Sequence, residues 1–139
     1  ARALGNHTFG AALVATYHQT VLFTQCNIDT VNHAESTLAR VAASNYLAEY
    51  LWQCTLYTAV EPCCMCAGTI YWANIGRVVY GMTEQRLLEC TGNHQENPTM
   101  SVSSAYVFEH GQKNIDLIGP VAEIEEETAA LQQAFWTQR

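Results

Sequence analysis

Positive charge is scarce in this chain. Six Lys and Arg stand against thirteen Asp and Glu, a formal net charge of −7. The six, Arg2, Arg40, Arg77, Arg86, Lys113 and Arg139, are scattered rather than clustered. Nucleic-acid binders draw most of their affinity from Lys and Arg on phosphates, so this balance disfavours a long polyanion as partner. Long hydrophobic runs are missing too. No stretch approaches the ~18 apolar residues that suggest a membrane span, and no secretory leader pattern is visible. Proline is rare, with three residues, and repeats, low-complexity stretches and linkers are absent. Residues 1–139 therefore read as a single domain, long enough to bury a core, and the hydrophobic share of 49% fits a compact globular chain. The six cysteines do not make a disulfide scaffold, because three of them fall in one cluster. A thiolate site of that kind expects a reducing compartment and cytoplasmic localisation.

That cluster is the most informative feature present. Residues 33–35 read His-Ala-Glu and residues 62–66 read Pro-Cys-Cys-Met-Cys, together H-x-E…P-C-x-x-C. A lone C-x-x-C also fits redox pairs and structural zinc sites; the upstream His-x-Glu and the Pro before the first Cys narrow the reading. Zinc takes nitrogen and sulfur ligands in a tetrahedron, and a catalytic site leaves one position open for water. His33, Cys63 and Cys66 supply three ligands. Bound zinc lowers the pKa of water from about 15.7 towards roughly 7, which makes a nucleophile at neutral pH. Glu35, two residues past His33, suits a proton shuttle that does not ligate the metal. A structural zinc site would need a fourth ligand, for which Cys64 is nearest. Cys64 projects about 100° around a helix from Cys63 and reads as packing. A dithiol remains the other reading of Cys63 and Cys66. Cys26, Cys54 and Cys90 read as buried free thiols.

The chain alternates strand-like and helix-like segments. Strands are expected over 9–17 and 20–27 as a hairpin, over 54–60 and 77–82, and over 115–121, where Pro120 limits the end. Helices are expected over 33–47, with Asn32 as N-cap and Leu38, Val41 and Ala42 on its apolar face, and over 63–73, with Pro62 at its start. Cys63 and Cys66, at i and i+3, then share a face, and two helix N-termini meet at the metal, where their partial positive charge favours thiolates and the Glu35 carboxylate. Residues 83–114 are less regular, with a short helix over 103–110 ended by Gly111. A terminal helix is expected over 123–136, acidic in its first turns. This alternation argues an α/β fold, a three-layer α/β/α sandwich.

These motifs resemble the cytidine deaminase superfamily, in the branch of bacterial guanine deaminases, tRNA-adenosine deaminases and fungal cytosine deaminase. The likeness starts at Phe9-Gly10-Ala11, passes through His33-Ala34-Glu35, and is densest over 56–81. Ile70-Tyr71-Trp72-Ala73 is similar to guanine deaminases. Ile75-Gly76-Arg77-Val78-Val79-Tyr80-Gly81 is equally similar to the tRNA-adenosine enzymes. The resemblance implies a five-stranded mixed sheet flanked by helices, usually as a homodimer, with Zn2+ on His33, Cys63 and Cys66 and Glu35 as proton shuttle. It implies that the N–H groups of Ala34 and Cys63 face substrate, that Asn27 hydrogen-bonds the ring, that Phe9 and Trp72 line the base pocket, and that Phe135 or Trp136 closes it. Only one of those last two can point at the pocket, since i and i+1 diverge. The Asn27–His33 segment is shorter than such proteins usually have. His94 and Glu96 are polar candidates for base selection or a lid, or are solvated loop residues.

The expectation is therefore a zinc-dependent aminohydrolase acting on a small base or nucleoside, with guanine or a guanine nucleoside as the leading substrate. tRNA adenosine and cytosine are alternatives, because one zinc machinery attacks either ring. An inactive zinc-binding scaffold is the non-enzyme alternative, and the intact Glu35 argues against it.

Overall fold

The computed structural model describes residues 10–15, 20–91 and 98–123. Five strands form one open sheet: β1 (Gly10–Ala15), β2 (Thr20–Cys26), β3 (Cys54–Val60), β4 (Arg77–Met82) and β5 (Asp116–Ile118), in the order β2-β1-β3-β4-β5. β1 pairs antiparallel with β2 and with β3, whereas β3/β4 and β4/β5 are parallel. The sheet is mixed, as expected. β3 and β4 match their sequence expectations end to end. β2 ends one residue earlier than expected, and β5 is four residues shorter, since it stops before the Gly119–Pro120 bend. Proline has no N–H to donate to a ladder.

Five helices are described: α1 (Ala34–Asn45), α2 (Ala48–Leu51), α3 (Cys64–Ala73), α4 (Glu84–Thr91) and α5 (Ser104–Glu109). In β3, Cys54, Leu56, Thr58 and Val60 are buried on one face, while on the other Thr55 is buried, Tyr57 exposed and Ala59 half-buried. Leu56 joins Leu13, Leu38, Ile70 and Val78 in the main core, so α1 and α3 pack on the face that carries Thr58. Small residues at the α1–α3 contact, Ala39 and Ala42 against Ala67, are all fully buried and let the two helices approach closely.

Several local expectations are corrected. The buried face of α1 is Ala34, Glu35, Leu38, Ala39 and Ala42. Val41 is 40% exposed, one position around the helix from the true stripe. Asn32 does not cap α1; His33 does. Asn32 instead closes a tight turn in which its N–H donates to Asp29 Oδ1 at 2.6 Å. Cys63, not Pro62, is the N-cap of α3. The helix ends at Asn74, whose φ of 71° is left-handed, a conformation asparagine tolerates better than most residues. α4 lies where the sequence reads as irregular. Its eight residues are mostly polar, and the packing that secures it is tertiary: Leu87 lies on Val60 and Met82. Phe9, His94, Glu96 and, past Glu123, the rest of the helix expected over 123–136, with Phe135 and Trp136, lie outside the described residues.

Candidate active site

Every site element reaches the same edge of the sheet. β3 and β4 run parallel, so Val60 and Met82 end side by side, and the antiparallel hairpin brings Gly10 and Cys26 to that edge. The chain leaves β3 through Glu61-Pro62-Cys63 directly into α3, and leaves β2 through Asn27 towards His33 at the head of α1. Ligands in open α/β sheets sit at such carboxyl ends.

His33 Nδ1 lies 3.6 Å from Cys63 Sγ and 3.5 Å from Cys66 Sγ. Among the described residues these three make the one cluster of potential metal ligands. Zinc bonds of about 2.05 Å to nitrogen and 2.3 Å to sulfur at a tetrahedral angle set N and S about 3.6 Å apart, so the cluster fits zinc without rearrangement. The imidazole is also oriented for it. Nε2 lies 2.9 Å from the carbonyl oxygen of Thr30, which can only accept, so Nε2 carries the hydrogen and Nδ1 keeps the lone pair. Cys64 is turned away, its Sγ 3.4 Å from Met100 Sδ, which agrees with the packing reading.

Without a cation the ligands share protons unevenly. The Cys66 thiol as hydrogen-bond donor, with His33 adding to the effect, holds Cys63 down to about 4, while that bond and burial push Cys66 up. The Cys63 bond raises His33. Both His33 and Cys63 are helix N-caps, so the partial positive charge of two helix ends falls on the cluster.

Glu35 is buried in the first turn of α1, 5% exposed. Burial raises its carboxyl above the usual range, and the Thr58 hydroxyl, which donates to Oε1 at 2.6 Å, opposes that rise. A general acid/base needs a pKa moved towards working pH and a fixed orientation; burial supplies the first and Thr58 the second.

A cavity of about 270 Å³ opens onto Glu35, His33 and Cys63. Asn27 lines it, with its Oδ1 accepting from Ala34 N–H at 3.2 Å and its Nδ2 donating to Asp29 O at 3.1 Å. The Ala34 N–H therefore orients Asn27 rather than facing the cavity. The short Asn27–His33 segment closes as a compact turn, with Ile28 N–H on Asn32 O at 3.0 Å, so the short spacing still brings Asn27 to the site. Trp72 does not line the cavity. It is 80% exposed and packs edge-on against Tyr71, because Trp72 follows the buried Ile70 on the opposite side of α3. The sequence reading missed Thr58, Glu61, Glu84 and the Pro98–Met100 segment. Thr58 and Glu61 lie just before Cys63, but their roles come from distant partners, Glu35 for Thr58 and Glu84 and Ser104 for Glu61; Glu84 and residues 98–100 are themselves brought in from farther along the chain.

Residues 1–82 match the model of the cytidine and deoxycytidylate deaminase zinc-binding region. The chain belongs to this deaminase family. The deaminase assignment is supported over nearly the whole length by a probable cytosine deaminase of Schizosaccharomyces pombe, 30% identical across 98% of this chain and 83% of that protein. The guanine deaminase of Bacillus subtilis is 47% identical over 60 residues, covering 40% of this chain and 38% of the other. In fold, the deaminase domain is similar to the guanine deaminase of Nitrosomonas europaea, with a TM-score of 0.69 and 19% identity, over 97% of this chain and 76% of that one. The protein is a zinc-dependent hydrolytic deaminase.

Proposed function

We propose that the substrate is a free nucleobase or nucleoside, with guanine or a guanine nucleoside foremost. The observation that carries this reading is the cavity beside the metal ligands. Its volume of about 270 Å³ suits one heterocycle, and among the described residues its wall carries the carboxyl groups of Glu35, Glu61 and Glu84 and no Lys or Arg. A described wall without cations gives a phosphate backbone no partner, and the chain's net charge of −7 acts in the same sense. Guanine is favoured by the identity to the Bacillus subtilis enzyme; the exposed Trp72 gives that choice no support.

Zinc on His33, Cys63 and Cys66 would supply an activated water and a Lewis acid. The chain's own residues do the rest. Asn27 presents its remaining amide hydrogen to the ring. Glu35 takes a proton from the attacking water, delivers it to a ring nitrogen, and passes a second to the departing amine. Water oxygen bonds to the amino-bearing carbon, the C–N bond breaks, and the products are a keto heterocycle and ammonia.

The test is ammonia release by zinc-loaded protein on guanine, guanosine, adenine, cytosine, cytidine and a tRNA anticodon stem-loop. Turnover of guanine or guanosine well above the rest is expected. Turnover of the stem-loop alone would overturn the small-substrate reading.

A further inference from the structure

The cavity wall holds more carboxyl groups than the deamination chemistry uses. Glu35 is engaged by Thr58. Glu61 is fully occupied: its Oε1 accepts from Glu84 N–H at 3.0 Å and its Oε2 from Ser104 N–H at 2.8 Å. Glu61 thus ties the starts of α4 and α5 to the end of β3 and is a structural strap. Glu84 differs. It is 8% exposed, lines the cavity, and its side chain has no hydrogen-bond partner among the described residues. Among the described residues the sealed, unpartnered side-chain atoms are Thr37 Oγ1 and Arg77 Nε, so the Glu84 carboxyl keeps access to the cavity it lines and is free to hydrogen-bond a molecule that enters.

Resting on the deaminase reading of this cavity, we propose that Glu84 is a substrate-positioning and specificity-determining residue, whose carboxyl accepts a hydrogen bond from an N–H of the heterocycle. The substrate class is then narrower than "a nucleobase". It is an amino-heterocycle that carries a second N–H donor, on the ring or exocyclic, on an edge other than the one presented to zinc and Glu35. The surroundings agree. Leu87, Met65 and Val60 also line the cavity, so much of its described wall is apolar and offers a heterocycle no hydrogen bond in competition with Glu84. Burial and the neighbouring Cys63 and Glu35 push its carboxyl up to about 8, and in either protonation state an oxygen remains free to accept. Glu84 follows the last residues of β4 and opens α4, an element anchored by Glu61 and by Leu87 in the core. The carboxyl is therefore held on a rigid support, as a specificity group must be.

The experiment compares zinc-loaded wild type, Glu84→Met and Glu84→Gln. The first keeps the volume and removes both acceptors, and the second keeps one. Each is assayed on the base and nucleoside panel and on the N-methylated derivative of whichever compound wild type turns over best. Zinc content and melting temperature are read alongside, and calorimetric binding of the panel supplements turnover. A hydrogen bond to a carboxyl corresponds to roughly 10–100-fold in affinity. Glu84→Met is expected to raise KM by that factor with kcat within a few-fold, and Glu84→Gln by less. One N-methylation should impair wild type and leave Glu84→Met indifferent. Normal turnover by wild type with KM within two-fold in both variants overturns the role of Glu84 and leaves the deaminase reading intact. A wild type that neither turns over nor binds any panel member overturns the site reading, and this inference with it.

Discussion

In the proposed mechanism Glu35 and Thr58 are the residues on which turnover depends most directly after the metal ligands. Glu35→Gln keeps the zinc cluster, since Glu35 is no member of it, but removes the proton carrier. The expected outcome is unchanged zinc by elemental analysis and a loss of roughly 10²–10⁴-fold in kcat. Near-normal rates would refute the shuttle role. Thr58→Val deletes the hydroxyl that donates to Glu35 Oε1 and opposes its upward shift. The carboxyl then rises further, so the acid limb of the kcat/KM profile should move to higher pH. An unmoved limb would make Thr58 merely structural. Glu84 gives a stability signature. Its carboxyl lies at about 8 in the fold against 4.5 unfolded. Below 4.5 both states hold the proton. Between these values only the folded state does, so stability falls as pH rises and levels off above about 8. Thermal melts from pH 5 to 9 should show a shallower decline for Glu84→Gln than for wild type.

At the scale of elements, the site is a junction of helix starts. α1 and α3 are linked through their N-caps to the metal, and α4 and α5 through Glu61. Glu61→Ala would leave the N–H groups of Glu84 and Ser104 unsatisfied, each costing about 1–3 kcal/mol. A loss of roughly 2–5 kcal/mol in urea unfolding is expected, and a loss under about 0.5 kcal/mol would show that the strap is dispensable. Chelation should lower the melting temperature, because zinc stabilises only the folded arrangement. Zinc binding displaces protons from Cys66 and His33, both raised in the cation-free cluster. Zinc affinity should therefore weaken as pH falls, measurable by competition with a chromophoric chelator. Affinity independent of pH would contradict the protonation pattern.

The whole molecule carries a net charge of −7. For an uncharged base, kcat/KM should change less than about two-fold between 50 and 500 mM salt, whereas phosphate-driven binding would fall steeply. A steep salt dependence would favour a polyanionic substrate. Among the described residues no helix is long and apolar enough to cross a membrane.

Much of the site was legible in the sequence because zinc ligation and proton transfer demand particular atoms at short spacing. H-x-E and P-C-x-x-C each fall within one helix start, where local geometry alone sets the distances. The bounds of β3 and β4 were legible for the same local reason. What only the tertiary structure decided depends on segments far apart in the chain. α4 is polar and short, and its formation rests on Leu87 meeting Val60 and Met82. Glu61 and Glu84 acquire opposite characters, one satisfied and one not, through backbone groups contributed from 23 and 43 residues away in the first case and none in the second. Trp72, conspicuous in the sequence, faces outward because α3 is apolar on nearly every side and only packing against α1 selects which side is buried. The sequence determines the chemistry of the reacting centre; the fold determines which groups surround the ring, because that contact list is assembled across the sheet edge rather than along the chain.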